Sequence, residues 1–507
     1  MLQGFSWYDV RVIGHYLGVL ITFYAAALAV PFVLALLCDE LEPAGRYLLS
    51  GGGALVLGMA LQFLRVEPGR LTHQQALAVT GLSWIVLACI AACPLAFSGH
   101  YGSYLDALFE TTSGLTTTGA SLAFDLEHMS NADNMWRFVL HLIGGLGLIV
   151  VALSLGLFGK STSGLYSSEG RSEHVLPSIV STVRMISRIA LMVVAIGTLL
   201  LTGLCMLAGL EPVRALLHGL WCAISCFTTA GFTPTSQSAM YYHSFPFEIV
   251  CMLLMLFGAV NFALYVKVSR GETSYFFKDF EIRTGVLWLV VATIVLMCSL
   301  CSSGAFSDIL ALLRRCVFMV VSSFSTTGFQ VVTNNQMTTV FSSGAFLILA
   351  ILMAVGGSSG STSGGMKFSR LGLIAKSVVS TVKSTLSPET ARVAVRYYHL
   401  GHQVLTTEVA RAALTVSALF VLTYLIGALA GIAHGYDAID SIFEAVSMGA
   451  NAGLSSGIIS RGMPPGLEMV YILEMWAGRL EFITLIALIV KIAVSFASLG
   501  KARRKRA

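Results

Sequence analysis

The chain has 507 residues, 56% of them hydrophobic and only 11% charged, with a net charge of +5. Its mean hydropathy is +0.81. So much apolar surface with so little charge excludes a water-soluble fold and makes the bilayer the solvent for most of the chain. Helices are then the default spanning element, because each satisfies its own backbone hydrogen bonds.

Apolar stretches of roughly the 20 residues that span a bilayer fall at 12–37, 47–64, 74–97, 134–158, 185–209, 245–267, 284–301, 340–366, 408–432 and 467–491. The first runs on to Leu37, too long for the apolar region of a cleaved signal. With both termini inside, the inner segments carry 24 Lys/Arg and the outer ones six, a strong positive-inside bias. The ten Cys are scattered, and Cys298 and Cys301 form a C-x-x-C with no second pair, so they read as small core residues.

Four segments between spans share one pattern, at 106–121, 218–233, 315–330 and 440–455. Aligned on Gly119, Gly231, Gly328 and Gly453, each has an aromatic ten residues earlier: Phe109, Trp221, Phe318 and Phe443. Each has a Ser six earlier (Ser113, Ser225, Ser322, Ser447) and, two earlier, Thr117, Thr229, Thr326 or Asn451. The predicted unit is a span, a short helix that dips in from the outer side, a polar loop and a second span. Non-helical backbone at membrane depth persists only where it lines a water-filled path or is buried in protein.

Four such loops around an axis form a ring of backbone carbonyls. With Thr hydroxyls, these replace the hydration shell of a monovalent cation, and no fixed carboxylate holds the ion too tightly to leave. Glycine at the tip permits the backbone angles that aim the carbonyls, and the short helices point their partially negative C-terminal ends at the cavity. The candidate potassium-binding residues are Thr117, Thr118, Gly119, Thr229, Ala230, Gly231, Thr326, Thr327, Gly328, Asn451, Ala452 and Gly453. The predicted fold is an all-α membrane protein of four such repeats in pseudo-four-fold arrangement. Two extra transmembrane helices (1–70) precede the repeats, which occupy 71–175, 176–275, 276–400 and 401–507 with its basic tail.

FTTAGF at 227–232, FSTTGF at 324–329, NAGLSSG at 451–457, GGSSGSTSGGMK at 356–367 and GRLE at 478–481 resemble the Trk/Ktr/HKT superfamily of potassium transporters, most closely its TrkH branch. The resemblance covers nearly the whole chain, and the two extra helices match that branch. It implies that glycine at all four tips favours potassium, whereas a serine in the first marks sodium-permeable members. It also implies a homodimer in the bacterial cytoplasmic (inner) membrane and regulation by a cytosolic, TrkA-type nucleotide-binding subunit. A sodium-permeable or sodium- or proton-coupled transporter is the alternative, and channel versus symporter stays open.

The segment 356–365 holds five glycines and five Ser/Thr. At about 1 kcal/mol per glycine it cannot sustain a lipid-facing helix, so it interrupts the second span of the third repeat and faces a cavity or protein interior. By resemblance it is an intramembrane gate, comprising Gly356, Gly357, Gly360, Gly364 and Gly365. It misses the phosphate-binding loop pattern by one residue before Lys367 and follows a span, not a strand. Arg479, placed mid-way along the last span, is the second gate candidate. Charged residues at that depth are costly and normally face a cavity; the alternative is an ion pair with Glu474 or Glu481.

Asp106, Glu110, Asp440 and Glu444, at the starts of the short helices, either attract cations or stabilise helix N-termini. His141 and His218, single histidines near apolar faces, read as core or interfacial residues rather than ion ligands. The tail KARRKRA at 501–507 reads as a topology signal contacting anionic lipid, with no nucleic-acid role. The spans carry almost no Asp, Glu or His for a proton relay, no nucleophile–base or metal constellation marks an enzyme, and no cofactor motif is present in this chain.

Overall fold

The computed structural model describes residues 4–64, 71–123, 125–147, 179–302, 308–333, 336–337, 341–388, 394–399 and 401–504. The stretch 148–158 of the fourth expected span, most of the inner segment that follows it and the last residues of the basic tail lie outside them. The described residues fall into two compact units. One draws on Met1–Leu115, Ala123–Ser187 and Leu480–Ala507, the other on Thr116–Leu122 and Arg188–Arg479.

In the first unit, α1 (Trp7–Ala27) opens on a capping box between Ser6 and Asp9 and runs into α2 (Ala29–Leu37). α3 (Leu41–Gln62) returns against α1 where two glycines meet: a Cβ on Gly18 would lie 2.7 Å from the Gly58 carbonyl oxygen. Small residues of this kind let helix backbones approach closely where lipid offers no hydrophobic drive. α4 (His73–Ala96), the short α5 (Tyr104–Leu115) and α6 (Asn131–Leu146) complete the unit's described N-terminal part. Its charges are paired: Arg46 holds Asp133 at 2.9 Å, and Arg137 Nε donates to Glu110 at 2.8 Å with both side chains fully buried. Removing one partner of such a buried pair leaves an uncompensated charge, which costs about 3–5 kcal/mol.

The second unit takes the later part of α7 (Ile179–Leu207), then α8 (Pro212–Phe227), α9 (Phe245–Ala259), α10 (Phe262–Ser269), α11 (Ser274–Lys278) and α12 (Phe280–Ser302). It continues with α13 (Ile309–Phe324), α14 (Ser343–Ala354) and α15 (Phe368–Leu386). A hairpin of β1 (Arg396–Tyr398) and β2 (His402–Val404) follows, a small exception to the expected all-α fold. α16 (Thr407–Ala433), α17 (Ala438–Gly449) and α18 (Pro465–Arg479) close the unit. α19 (Ile483–Arg504) returns the chain to the first unit, where Leu488 packs on Gly81 of α4.

Six helices among the described residues are long and apolar enough to cross a membrane, seven if the bent pair α9–α10 is one span. Their exposed faces carry residues such as Leu199, Leu287 and Leu422, each more than half exposed, as lipid-facing helices require. The chain is a multi-pass membrane protein.

Three expected continuous spans need correction, because a helix stops inside the second span of every repeat. α6 stops at Leu146 on Gly147, whose φ is +88°. α9 and α10 meet at 96° across Val260–Asn261, with the Asn261 side chain capping α10. α14 covers only 343–354 of the expected 340–366 before the glycine-rich segment. α18 ends at Arg479, and Glu481 and Phe482 are left-handed at +54° and +64°. Hydropathy averages across such breaks when no cluster of glycine or proline marks them, so only the third was legible. Arg479 therefore stands at a helix end, at the break within the expected last span, rather than inside a continuous helix.

Candidate cation site

Each Thr/Asn-x-Gly tip follows a helix of 12 or 16 residues: α5, α8, α13 and α17. The aromatic column (Phe109, Trp221, Phe318, Phe443) is at most 2% exposed and anchors each helix. The serine column acts through its carbonyls. Ser225, Ser322 and Ser447 accept the backbone N–H of Ala230, Thr327 and Ala452 at 2.8–2.9 Å, which turns the chain out of its helix in the same way in the second, third and fourth copies.

The tips themselves share one backbone pattern. Thr117, Thr229, Thr326 and Asn451 have φ of +57°, +50°, +55° and +55°, and the glycines two positions on have +83°, +94°, +86° and +75°. A β-branched Thr in this region is strained by about 1–3 kcal/mol, whereas glycine takes it freely. Left-handed residues at the first and third positions of each tip turn the backbone the same way in all four copies.

The four tips close a ring in chain order. A Cβ on Gly119 would lie 2.3 Å from Ala230 O, one on Gly231 2.4 Å from Thr327 O, one on Gly328 2.1 Å from Ala452 O, and one on Gly453 2.0 Å from Thr118 O. Each glycine is thus pressed against the carbonyl of the next copy, and the last returns to the first. Any side chain here displaces a carbonyl of the ring. The Thr117, Thr229, Thr326 and Asn451 side chains are fully buried behind it. Asn451 departs from Thr with a reason: its Nδ2 donates to Thr118 Oγ1 at 3.0 Å and to Met475 O at 2.9 Å, joining the last copy to the first and to α18.

The glycine-rich segment 356–367 is wedged against this ring. Thr362 Oγ1 donates to Phe227 O and Gly258 O at 3.1 and 2.9 Å and accepts from Thr229. Gly364 N–H donates to Thr326 Oγ1 at 2.7 Å, and Ser363 Oγ to Ser325 O at 2.8 Å. Its N–H groups also satisfy carbonyls freed by the α9–α10 bend: Ser358 N donates to Ala259 O, and Thr362 N to Gly258 O. Close approach explains the glycines, since a Cβ on Gly364 would sit 2.0 Å from Ala450 O, and one on Gly356 2.6 Å from Gly364 O. Gly357 lies as close to Ala259 O, while Gly360 and Gly365 have φ of +66° and +64°.

Arg479, half-buried, donates from Nη1 to Thr362 O at 3.1 Å. Two features 117 residues apart in the chain thereby meet at one carbonyl.

A further glycine column was missed from sequence. A Cβ on Gly144 would lie 1.8 Å from Leu115 O, one on Gly258 2.1 Å from Phe227 O, and one on Gly478 2.1 Å from Gly449 O. In those three copies, the glycine lets the second span pass against the last turn of the short helix. The signal was present, because these glycines follow the tip glycines by 25, 27 and 25 residues, but the first two also read as ordinary small residues of an apolar helix.

The remaining polar candidates serve local structure. Asp106 accepts from Gly102 N and Ser103 Oγ at 2.9 Å, and Glu110 is held by Arg137. Glu444, fully buried, accepts from Ser455 and from Ser456 N. His218 Nδ1 lies 2.9 Å from Tyr242 Oη, and His141 is fully buried beside Phe138. The second spans are less poor in acids than expected: Glu248, Glu468 and Glu474 are buried there, and Glu248 takes two 2.7 Å hydrogen bonds from Arg314.

A family model described as TrkH, cation transport protein, matches residues 51–498. The chain belongs to the TrkH family. Among its relatives, an uncharacterized cation transporter of Methanocaldococcus jannaschii is 30% identical over 486 residues, covering 95% of each chain. The Trk system potassium uptake protein TrkH of Escherichia coli is 28% identical, covering 94% of this chain and 98% of its own. The fold matches the crystal structure of the potassium transporter TrkH from Vibrio parahaemolyticus with a TM-score of 0.80, at 24% identity, over 94% of this chain and 98% of that one.

Proposed function

We propose that this chain takes up potassium through the ring of Gly119, Gly231, Gly328 and Gly453. The observation that carries the reading is the closure of that ring in chain order, each glycine against the next copy's carbonyl and each preceded by a left-handed Thr or Asn. Backbone oxygens at fixed spacing suit a dehydrated monovalent cation. The uptake relatives named above point to potassium, and no serine replaces Gly119.

The ring is the filter, contacted by the twelve residues named from the sequence. The glycine-rich segment and Arg479 form the gate beneath it: the segment bonds to filter threonines, and the guanidinium adds a positive charge to its Thr362 carbonyl. The orientation with both termini inside rests on the Lys/Arg distribution. The homodimer, the bacterial inner membrane and a cytosolic TrkA-type partner rest on family resemblance.

Gly119→Ser tests the filter. A Cβ there meets Ala230 O and distorts one quarter of the ring, so the K⁺/Na⁺ permeability ratio in proteoliposomes should fall about ten-fold, equivalent to roughly 1.4 kcal/mol. An unchanged ratio in a well-folded variant removes this ring from the selectivity step.

A further inference from the structure

Asp279, Glu281 and His399 are the only group of three or more His/Cys/Asp/Glu among the described residues whose ligand atoms all lie within 4.8 Å of one another. His399 Nδ1 is 3.1 Å from Asp279 Oδ2 and 4.0 Å from Glu281 Oε2. Both carboxylates are fully buried, and the imidazole is 15% exposed.

The local sequence presents these atoms deliberately. Asp279 precedes α12, and its Oδ1 accepts Glu281 N–H at 2.9 Å, which leaves Oδ2 towards the imidazole. Glu281 Oε1 accepts the N–H of Ser359, in the glycine-rich segment, at 3.3 Å, with Oε2 on the histidine side. The β1–β2 hairpin brings His399: its N–H bonds Gly401 O, and its ring packs edge-on against Phe280, as does Tyr397. Carboxylates oriented by a second hydrogen bond are what a metal's ligands need. First-row divalent metals sit about 2.0–2.2 Å from such nitrogen and oxygen atoms, which sets neighbouring ligand atoms roughly 3.0–3.5 Å apart. Small side-chain rotations bring the group into that range. One imidazole with two carboxylates suits Mn²⁺, Fe²⁺ or Zn²⁺ better than Mg²⁺, which prefers oxygen and keeps its waters.

We propose that Asp279, Glu281 and His399 bind a divalent transition-metal cation that ties the β1–β2 hairpin to the glycine-rich segment. Binding stands on the geometry of the three side chains. Its consequence rests on the gate reading above: the bound cation fixes Glu281, Glu281 holds Ser359, and the segment stays against the ring, so loading lowers K⁺ flux.

The test is a Mn²⁺ titration of the purified full chain, followed by electron paramagnetic resonance. One saturable Mn²⁺ per chain is expected, with affinity at least ten-fold weaker in Asp279→Asn and His399→Ala of unchanged gel-filtration profile. No saturable site in the wild type overturns the proposal even if both variants misfold, and so does equal affinity in folded variants. In proteoliposomes, Mn²⁺ should lower K⁺ flux several-fold in the wild type and not in His399→Ala. Saturable binding without a flux response overturns the link to the gate alone, and since it leaves Gly119→Ser selectivity untouched, it is distinguishable from failure of the filter reading.

Discussion

At the residue scale, the site is built by positions where a side chain is forbidden. Gly478 is the simplest case: a Cβ there would meet the Gly449 carbonyl at 2.1 Å, and a backbone oxygen at the end of a buried helix has nowhere to move. Gly478→Ala should destabilise the protein by about 1–3 kcal/mol, as overpacking does, seen as a lower melting temperature in detergent. Gly203→Ala, with nothing within 4 Å, is the control and should be neutral or slightly stabilising, because alanine is the better helix former. Thr326 makes the complementary point. Its hydroxyl accepts Gly364 N–H, so Thr326→Ala leaves a buried donor unmatched, at a cost of about 1–3 kcal/mol.

At the element scale, what distinguishes the fold is that a helix stops inside each second span. The spans, short helices and tip glycines were legible because each leaves a periodic or compositional mark: twenty apolar residues, an aromatic at minus ten, a glycine at the tip. The breaks after Leu146 and Ala259 leave none, since a left-handed glycine or one capping Asn is invisible to a hydropathy window. The meeting of Arg479 with Thr362 was equally hidden, because a hydrogen bond across 117 residues has no local signature. The hairpin at 396–404 was missed for its brevity, three residues to a strand. Because α18 ends on Arg479, the guanidinium reaches the glycine-rich segment without unwinding a helix. Arg479→Ala should therefore raise K⁺ flux several-fold in proteoliposomes, and an unchanged or lower flux would assign the arginine a purely structural role.

At the scale of the whole molecule, four unequal copies make one ring. Its fourth member carries Asn451 in place of Thr, and only the third is interrupted by a glycine-rich segment that bonds to the second and third copies and packs on the fourth. On the proposed function, selectivity belongs to all four tips and control to one repeat. The most direct measurement is the reversal potential of the purified wild-type protein in a planar bilayer, with K⁺ on one side and Na⁺ on the other. The account predicts a potential close to that of a K⁺-selective pore, displaced towards zero by Gly119→Ser. A wild-type reversal potential near zero, or one that follows the proton gradient instead, would contradict it.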